Sequence, residues 1–140
     1  MQHKMTKAVV SDADYAALAA FRRSLREFVH FSETAARAAG LTPQQHQALL
    51  AIRGSANVLT VGDLAASLQL RPHSALELVD RLAAAHLVER RPGETDRRRV
   101  EVSLTAGAES LLADLSAAHL AELRHRRALL GELLAQLDGR

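Results

Sequence analysis

The feature that most constrains this sequence is a change in the spacing of its apolar residues. Up to His86 they recur at intervals of three and four, as along amphipathic helices, but after His86 this period ends, and Val100, Val102 and Leu104 alternate with polar residues. The segments LVERR and VEVSL are therefore predicted to be short β-strands, and Pro92-Gly93 predicts the turn of a hairpin between them. Because only 3% of the residues are aromatic, Ala and Leu must do the packing, which favours a mainly α-helical frame around this hairpin.

Start and stop signals divide the rest of the chain into helices. The clearest start is the capping box Thr42-Pro43-Gln44-Gln45, which has proline at the first helical position. Gln69 and His86 stand where helix-ending turns usually have glycine, so either both residues have positive φ, at a cost of about 1 kcal/mol or more, or the turns have a different geometry there. Helices are predicted to follow the caps Ser11, Thr42, Thr60 and Thr105 and to begin at Pro72, and the two long terminal helices span residues 12–39 and 106–138.

Basic charge is concentrated at the predicted hairpin. The formal net charge of the chain is only +2, so attraction to nucleic acid must be argued from position rather than from the total. Guanidinium groups form forked hydrogen bonds with phosphates and base edges. Arg90 and Arg91 are equally well explained as strand-edge charges that oppose aggregation. Five such side chains lie within ten residues, against Glu94 and Asp96: Arg90, Arg91, Arg97, Arg98 and Arg99.

The predicted order is a long helix, a helix, two short helices joined by a tight turn, a hairpin and a long helix. Two short helices followed by a hairpin make a winged helix-turn-helix, here over residues 42–104. The second helix of such a pair fits the major groove of B-DNA, and the hairpin can place an arginine in the adjacent minor groove. We therefore predict a single domain over residues 1–140, in which this mainly helical lobe with its small β-hairpin wing is flanked by long terminal dimerisation helices.

The predicted lobe resembles the MarR family of bacterial transcription regulators. The similarity runs from Leu59 to Leu112, and the helices on either side also fit. Its most specific mark is Asp96-Arg97-Arg98 in the wing, followed by Leu104-Thr105 at the start of the last helix. A second mark is the sequence DRL (Asp80–Leu82) near the end of the recognition helix, followed by LVERR (Leu87–Arg91). The resemblance implies a dimeric, sequence-specific DNA-binding regulator, expected to be a repressor of a palindromic operator.

The resemblance also implies which residues contact DNA. The recognition helix would begin at Pro72 and lie in the major groove. The wing would place Arg98 in the minor groove, with Asp96 orienting it and Arg97 and Arg99 on phosphates. The groove side of the helix would carry Arg71, Pro72, His73, Ser74, Leu76 and Glu77.

Two residues of the recognition helix keep alternative interpretations. Glu77 is acidic in a helix expected to meet phosphates. It would accept a hydrogen bond from cytosine N4, disfavour DNA sequences other than the operator by repulsion, or pair with Arg71 or Arg81. His73 is either a contact to a base or phosphate or an ordinary surface residue.

Both terminal helices carry more apolar surface than a small central lobe can cover. The stretch from Leu111 to Leu137 alone extends about 40 Å at 1.5 Å per residue, and such a helix needs a partner. We therefore expect a homodimer, whose two lobes would meet half-sites about 34 Å apart on double-stranded DNA.

The resemblance further implies a small-molecule effector. MarR family members often bind small phenolic or carboxylate ligands between the dimer helices and the DNA-binding lobe, which changes the spacing of the two lobes. The phenylalanines considered for such a pocket are better explained as core or dimer contacts, and the histidines as ordinary polar positions. The candidate pocket residues are Phe28, His30, Phe31 and His46.

Several kinds of site are excluded or not expected. The chain has no cysteine, which excludes disulfides, zinc–thiolate sites and a thiol switch. No apolar run approaches about 18 residues and no secretory h-region occurs, so we expect no membrane span and a cytoplasmic, nucleoid-associated protein. His119, Glu122 and His125 diverge around one helix, so we expect no metal site. No phosphate-binding glycine loop, nucleophile elbow or HExxH motif occurs, so we expect neither a cofactor nor an enzyme.

Two other functions fit the same pattern. One is a ligand-insensitive architectural DNA binder, which would show little preference between an operator and random duplex. The other is a protein-interaction winged helix, whose wing would meet an acidic partner and which would not bind duplex DNA. Salt-dependent and sequence-selective binding to duplex DNA separates the regulator from both.

Overall fold

The computed structural model describes residues 9–138, which form helices and three short strands. The mainly α-helical class, the hairpin and the order of the predicted elements are confirmed. No helix within residues 9–138 is both long enough and apolar enough to span a membrane. In chain order the elements are α1 (Asp12–Ala38), α2 (Pro43–Gly54), β1 (Leu59–Thr60), α3 (Val61–Ser67), α4 (Pro72–Ala84), β2 (Val88–Pro92), β3 (Val100–Leu104), α5 (Ala106–His125) and α6 (Arg127–Asp138).

Polar side chains cap the first three helices in the way the sequence predicts. At α2, Thr42 Oγ1 accepts a hydrogen bond from Gln45 N at 3.1 Å, while Gln45 Oε1 accepts one from Thr42 N at 3.0 Å. Such reciprocal caps satisfy amide donors that have no partner within the helix, and losing one costs about 1 kcal/mol. The reciprocal pairs are Ser11 with Asp14, Thr42 with Gln45, and Thr60 with Asp63.

Helices α1, α3 and α4 end in the same kind of hydrogen-bonded turn. After α4, His86 N donates to Ala83 O at 3.0 Å and Leu87 N donates to Leu82 O at 2.9 Å, which is the Schellman pattern. The residue after each C-cap has positive φ, so the first of the two alternatives is confirmed at the two non-glycine positions. The angles are 83° at Gly40, 55° at Gln69 and 60° at His86.

The three strands form one antiparallel sheet in the order β1-β3-β2. Strands β2 and β3 are the predicted hairpin, with Val88 opposite Leu104 at its base. Strand β1 was not predicted, because its two residues are too few to show a period; it pairs Leu59 with Val102. Strand β2 therefore lies at an edge, where Pro92 can lack an N–H without breaking an inner ladder.

The final helix predicted over residues 106–138 is interrupted at Arg126, between α5 and α6. The Arg126 amide donates both to Glu122 O at 3.2 Å and to Leu123 O at 3.1 Å, and the second of these bonds tightens the chain as in a 3₁₀ turn. The Arg126 side chain also pairs with Glu122 at 3.0 Å and with Glu27 at 3.6 Å. The prediction of one continuous helix was therefore wrong at this residue.

The chain divides into two compact units. The first contains the residues up to Phe31 together with those from Leu120 onward, and the second contains Ser32–His119. Within residues 9–138 the buried apolar core has seventeen residues, and all of them belong to the second unit. Among the described residues of the first unit, only Ser24 is buried. The helix-turn-helix lobe thus has a core of its own, whereas the described residues of the first unit form none.

Replacing Gln69 with glycine should stabilise the protein. Glycine adopts positive φ without the steric cost of a side chain, and Gln69 is exposed, so little packing is lost. We expect Gln69→Gly to raise the free energy of unfolding by about 0.5–1 kcal/mol in urea titrations at fixed protein concentration. The control Ala66→Gly, inside α3, should lower it by about 1 kcal/mol. A loss of stability in both variants would contradict this account of the turn.

Candidate nucleic-acid interface

Helix α4 has one buried side and one exposed side. Its buried residues are Ala75, Leu78, Val79 and Leu82, which recur at helical spacing and hold the helix against the core. Arg71 has the extended backbone of an N-cap, but its side chain makes no capping hydrogen bond. All six residues predicted to face the major groove are exposed: Arg71, Pro72, His73, Ser74, Leu76 and Glu77.

Glu77 pairs with His73, one turn earlier on α4. His73 Nε2 lies 3.1 Å from Glu77 Oε1, and 85% of the histidine side chain and 57% of the glutamate side chain are exposed. The spacing of four residues places both on one face of the helix. Within residues 9–138 the side chain that contacts Glu77 is thus His73, and Glu77 forms no ion pair with Arg71 or Arg81.

Gly93 sets the geometry of the wing tip. Gly93 N donates to Arg99 O at 2.7 Å, and Arg99 N donates to Asp96 O at 3.1 Å. A Cβ atom at Gly93 would lie 2.6 Å from the carbonyl oxygen of Asp96, so any other residue would displace the backbone. Glycine therefore permits the tight closure from which residues 94–98 extend.

Asp96 braces Arg98 at the tip. Asp96 Oδ1 accepts hydrogen bonds from Arg98 N at 3.0 Å and from Arg98 Nε at 3.3 Å. One carboxylate oxygen thus holds both the backbone and the root of the guanidinium, while 92% of the arginine side chain stays exposed. Asp96 therefore contacts Arg98 in the unbound protein, whereas its role in placing Arg98 on DNA stays a prediction.

Two more ion pairs tie the wing to the helix-turn-helix. Arg90 of β2 pairs with Asp80 of α4, and Arg99 Nη2 lies 3.8 Å from Asp63 Oδ2 at the start of α3. Neither acid was predicted as part of the site, because each is distant in sequence from its arginine and only the packing of the hairpin brings them together. The pairs restrict where the wing can lie relative to α3 and α4.

Asp63 serves two neighbours at once. It completes the capping box with Thr60, and it lies beside Arg99. The hydrogen bonds with Thr60, and after them the positive charge of Arg99, lower the pKa of the Asp63 carboxyl below its usual value. Arg99 is therefore beside a charged carboxylate in the absence of DNA.

The four residues predicted to line a ligand pocket differ in burial. His46, on α2, is only 4% exposed, whereas Phe28 and Phe31 on α1 are half-buried and His30 is exposed. A cavity of about 240 Å³ is formed by the end of α2, the loop after it and β3, and none of the four lines it. The assignment of these residues to a ligand stays a prediction.

His46 packs against His119 of α5. Their ring centroids are 4.8 Å apart. His119 Nδ1 lies 2.7 Å from Leu115 O, and His119 Nε2 lies 2.7 Å from Ser32 Oγ, so protein atoms contact both ring nitrogens. Residues 9–138 contain no cluster of three or more side chains suited to holding a metal ion.

This environment favours neutral His46. Burial, and after it the positive charge that His119 can carry, lower the pKa of His46 below its usual 6.5. The unfolded chain consequently takes up a proton at His46 at a higher pH than the folded chain does. The contribution to stability is complete above the unfolded pKa and is lost as the pH falls through the folded pKa.

The free energy of unfolding should therefore decrease as the pH is lowered from about 7 towards 5. His46→Gln should flatten this dependence, because the variant has no group at this site that must stay neutral. Urea titrations across this range measure the slope. The control His30→Gln, at an exposed position, should keep the slope of the unmodified chain. An equal slope in His46→Gln would show that another group is responsible.

A model of the MarR family matches residues 39–99, which include α2, the helix-turn-helix and the tip of the wing. No curated protein is similar enough to the sequence to match it. The family match thus covers the lobe that carries the exposed α4 surface and the arginines of the wing.

Solved structures with the same fold extend over most of the chain. AbsC, a MarR family transcriptional regulator from Streptomyces coelicolor, is 24% identical, with a TM-score of 0.72 over 95% of this chain and 92% of its own. The MarR family transcription regulator SP03579 is 25% identical, with a TM-score of 0.73 over 91% of this chain and 87% of its own. A mutant MarR from Escherichia coli, complexed with operator DNA, is 22% identical, with a TM-score of 0.64 over 84% of this chain and 89% of its own.

The matched family consists of transcription regulators and not of enzymes. The sequence marks in the wing and at the start of α5 lie on the elements where the resemblance placed them. Residues 39–99 therefore match the model of the MarR family, and the chain has the winged-helix fold of MarR family transcription regulators.

Proposed function

We propose that this protein is a dimeric, sequence-specific DNA-binding regulator that represses a palindromic operator. The observation that carries the proposal is the state of Arg98, which is fixed at its root by Asp96 and yet is almost fully exposed. A cation held in this way at the end of a hairpin suits the narrow, electronegative minor groove. The Escherichia coli MarR mutant, which has the same fold, was solved with operator DNA.

The two halves of the interface would act on neighbouring grooves. Helix α4 would enter the major groove with its N-terminal turns, where Arg71, His73, Ser74, Leu76 and Glu77 are exposed. The wing would place Arg98 in the minor groove, and Arg97 would contact a phosphate. To contact a phosphate, Arg99 would either keep its ion pair with Asp63 and bind both groups, or break that ion pair.

The ion pairs of the wing support this geometry. Asp80 with Arg90 and Asp63 with Arg99 connect the hairpin to both helices of the helix-turn-helix. A wing restrained before binding loses less conformational freedom when the complex forms. The spacing between α4 and Arg98 would then be largely set in the unbound protein, as recognition of two adjacent grooves requires.

The proposed dimer is supported by the surface of the first unit. Of the fourteen exposed large apolar residues within residues 9–138, eleven belong to it, although none of its described residues is part of the buried apolar core. An apolar surface of this kind is favourable only when another surface covers it. A second copy of the same unit supplies a matching surface through two-fold symmetry, which also explains why the operator would be palindromic.

The proposal extends to an effector, a small phenolic or carboxylate compound, on the strength of the resemblance to MarR regulators. Phe28, His30, Phe31 and His46 are its proposed contacts. Such a ligand would release DNA only if it bound a DNA-incompetent arrangement of the dimer more tightly than the competent one, and the difference between the two binding free energies sets the size of the effect.

Arg98→Ala should lower operator affinity by about 1–3 kcal/mol and leave folding and dimerisation intact. Asp96→Ala should also weaken binding, because Arg98 loses its brace. Net charge alone predicts the opposite for Asp96→Ala, since removing an acid strengthens attraction to DNA. Fluorescence anisotropy with operator and random duplexes at fixed salt measures both changes. Arg37→Ala on α1 removes the same charge as Arg98→Ala and should change affinity little; equal effects of the two would contradict the role of Arg98.

Leu18→Glu should convert the dimer to a monomer, because it places a charge within the exposed apolar surface of α1. Sedimentation velocity measures the change, and operator affinity should fall with it. Val58→Glu introduces the same charge at a similarly exposed apolar position in the second unit, and this variant should stay dimeric. A dimer that persists in Leu18→Glu would place the subunit contact elsewhere.

A further inference from the structure

An exposed carboxylate stands in the middle of the α4 surface that the proposed function turns towards DNA. The buried stripe of α4 passes through Leu78 and Leu82. At 100° per residue, His73, Glu77 and Asp80 lie on the opposite side of the helix, and all three are exposed. The centre of the groove-facing stripe is thus acidic, in a region expected to approach a polyanion.

The two acids of this stripe are in different states. Asp80 is paired with the guanidinium of Arg90. This ion pair offsets the negative charge of Asp80 and connects α4 to the wing. Glu77 has no arginine partner within residues 9–138, and its contact there is between Oε1 and His73 Nε2. That contact orients the carboxylate and leaves Oε2 for another donor.

The chemistry of the base edges limits what that donor can be. An ionised carboxylate only accepts hydrogen bonds. In the major groove, guanine presents two acceptors, and thymine presents an acceptor and a methyl group, so both are unfavourable beside Glu77. Adenine places an acceptor next to its amine, whereas cytosine presents only the N4 amine. Cytosine is therefore the base that best matches a carboxylate.

We infer that Glu77 selects a cytosine in each half-site of the operator, with His73 holding the carboxylate in place. This inference rests on the proposed DNA-binding function and adds a specificity-determining residue to it. An acid in the recognition helix then weakens attraction to every duplex but restores binding where cytosine N4 can donate. The expected half-site contains a C·G base pair opposite the second turn of α4.

The test is selection from a pool of DNA duplexes with randomised half-sites by the full chain, followed by sequencing. The unmodified protein should enrich a C·G pair at one position of each half-site. In Glu77→Gln the side-chain amide both donates and accepts, which matches adenine N6 and N7, so the preference at that position should change from cytosine to adenine by about tenfold. Glu94→Gln removes the same charge from the exposed wing turn and should leave every base preference as it was.

The other outcomes separate the inference from the function on which it rests. If both variants bind all duplexes more tightly and keep all preferences, Glu77 only repels DNA; the inference is then overturned, while selective binding by the unmodified protein sustains the proposed function. If the unmodified protein enriches no sequence, the proposed function fails and the inference fails with it. Thermal melts of Glu77→Gln should match those of the unmodified chain, because the side chain is exposed.

Discussion

Strand β3 holds both ends of the helix-turn-helix, and the geometry of the lobe depends on it. Strand β1 immediately precedes α3, strand β2 follows the turn after α4, and both pair with β3. Val102, in the middle of β3, is among the largest fully buried residues. Thr105, just past the end of β3, also donates its hydroxyl to His86 O at 2.8 Å and so fixes the chain between α4 and the wing. Strand β3 therefore joins the start of α3 to the end of α4 through its two neighbouring strands. The wing is formed where β2 and β3 extend beyond this region.

Three arginines of the wing each pair with a different carboxylate, and the three pairs have different functions. Asp80 and Asp63 hold Arg90 and Arg99 against the helices, whereas Asp96 holds Arg98 outward. Much of the local positive charge is thus compensated before DNA binds. A net charge of only +2 is compatible with DNA recognition when exposed guanidinium groups lie at the tip of the hairpin. The arrangement favours accurate placement over strong attraction at long range.

Local signals in the sequence predicted local structure well. The capping box at Thr42 was predicted, and positive φ at Gln69 and His86 was one of two predicted alternatives, because both features depend on residues that are near neighbours in the chain. The brace between Asp96 and Arg98 is local in the same sense.

Features that require distant segments to meet could not be predicted. Strand β1 exists only because β3 passes beside it, and the partners of Arg90 and Arg99 are known only once the hairpin is packed. Arg126, at the break in the last helix, pairs with Glu27, almost a hundred residues earlier by the numbering, and no spacing within the last helix reveals this contact.

The described part of the first unit has no buried apolar core, and this has a genetic consequence. In the proposed dimer, that unit gains its stability from a second chain, whereas the lobe with the wing folds around residues of its own. A chain with a defective wing would therefore still be incorporated into mixed dimers that engage one half-site instead of two. Loss-of-function alleles in the wing should be dominant over the normal copy, whereas alleles that prevent pairing of the first unit should be recessive.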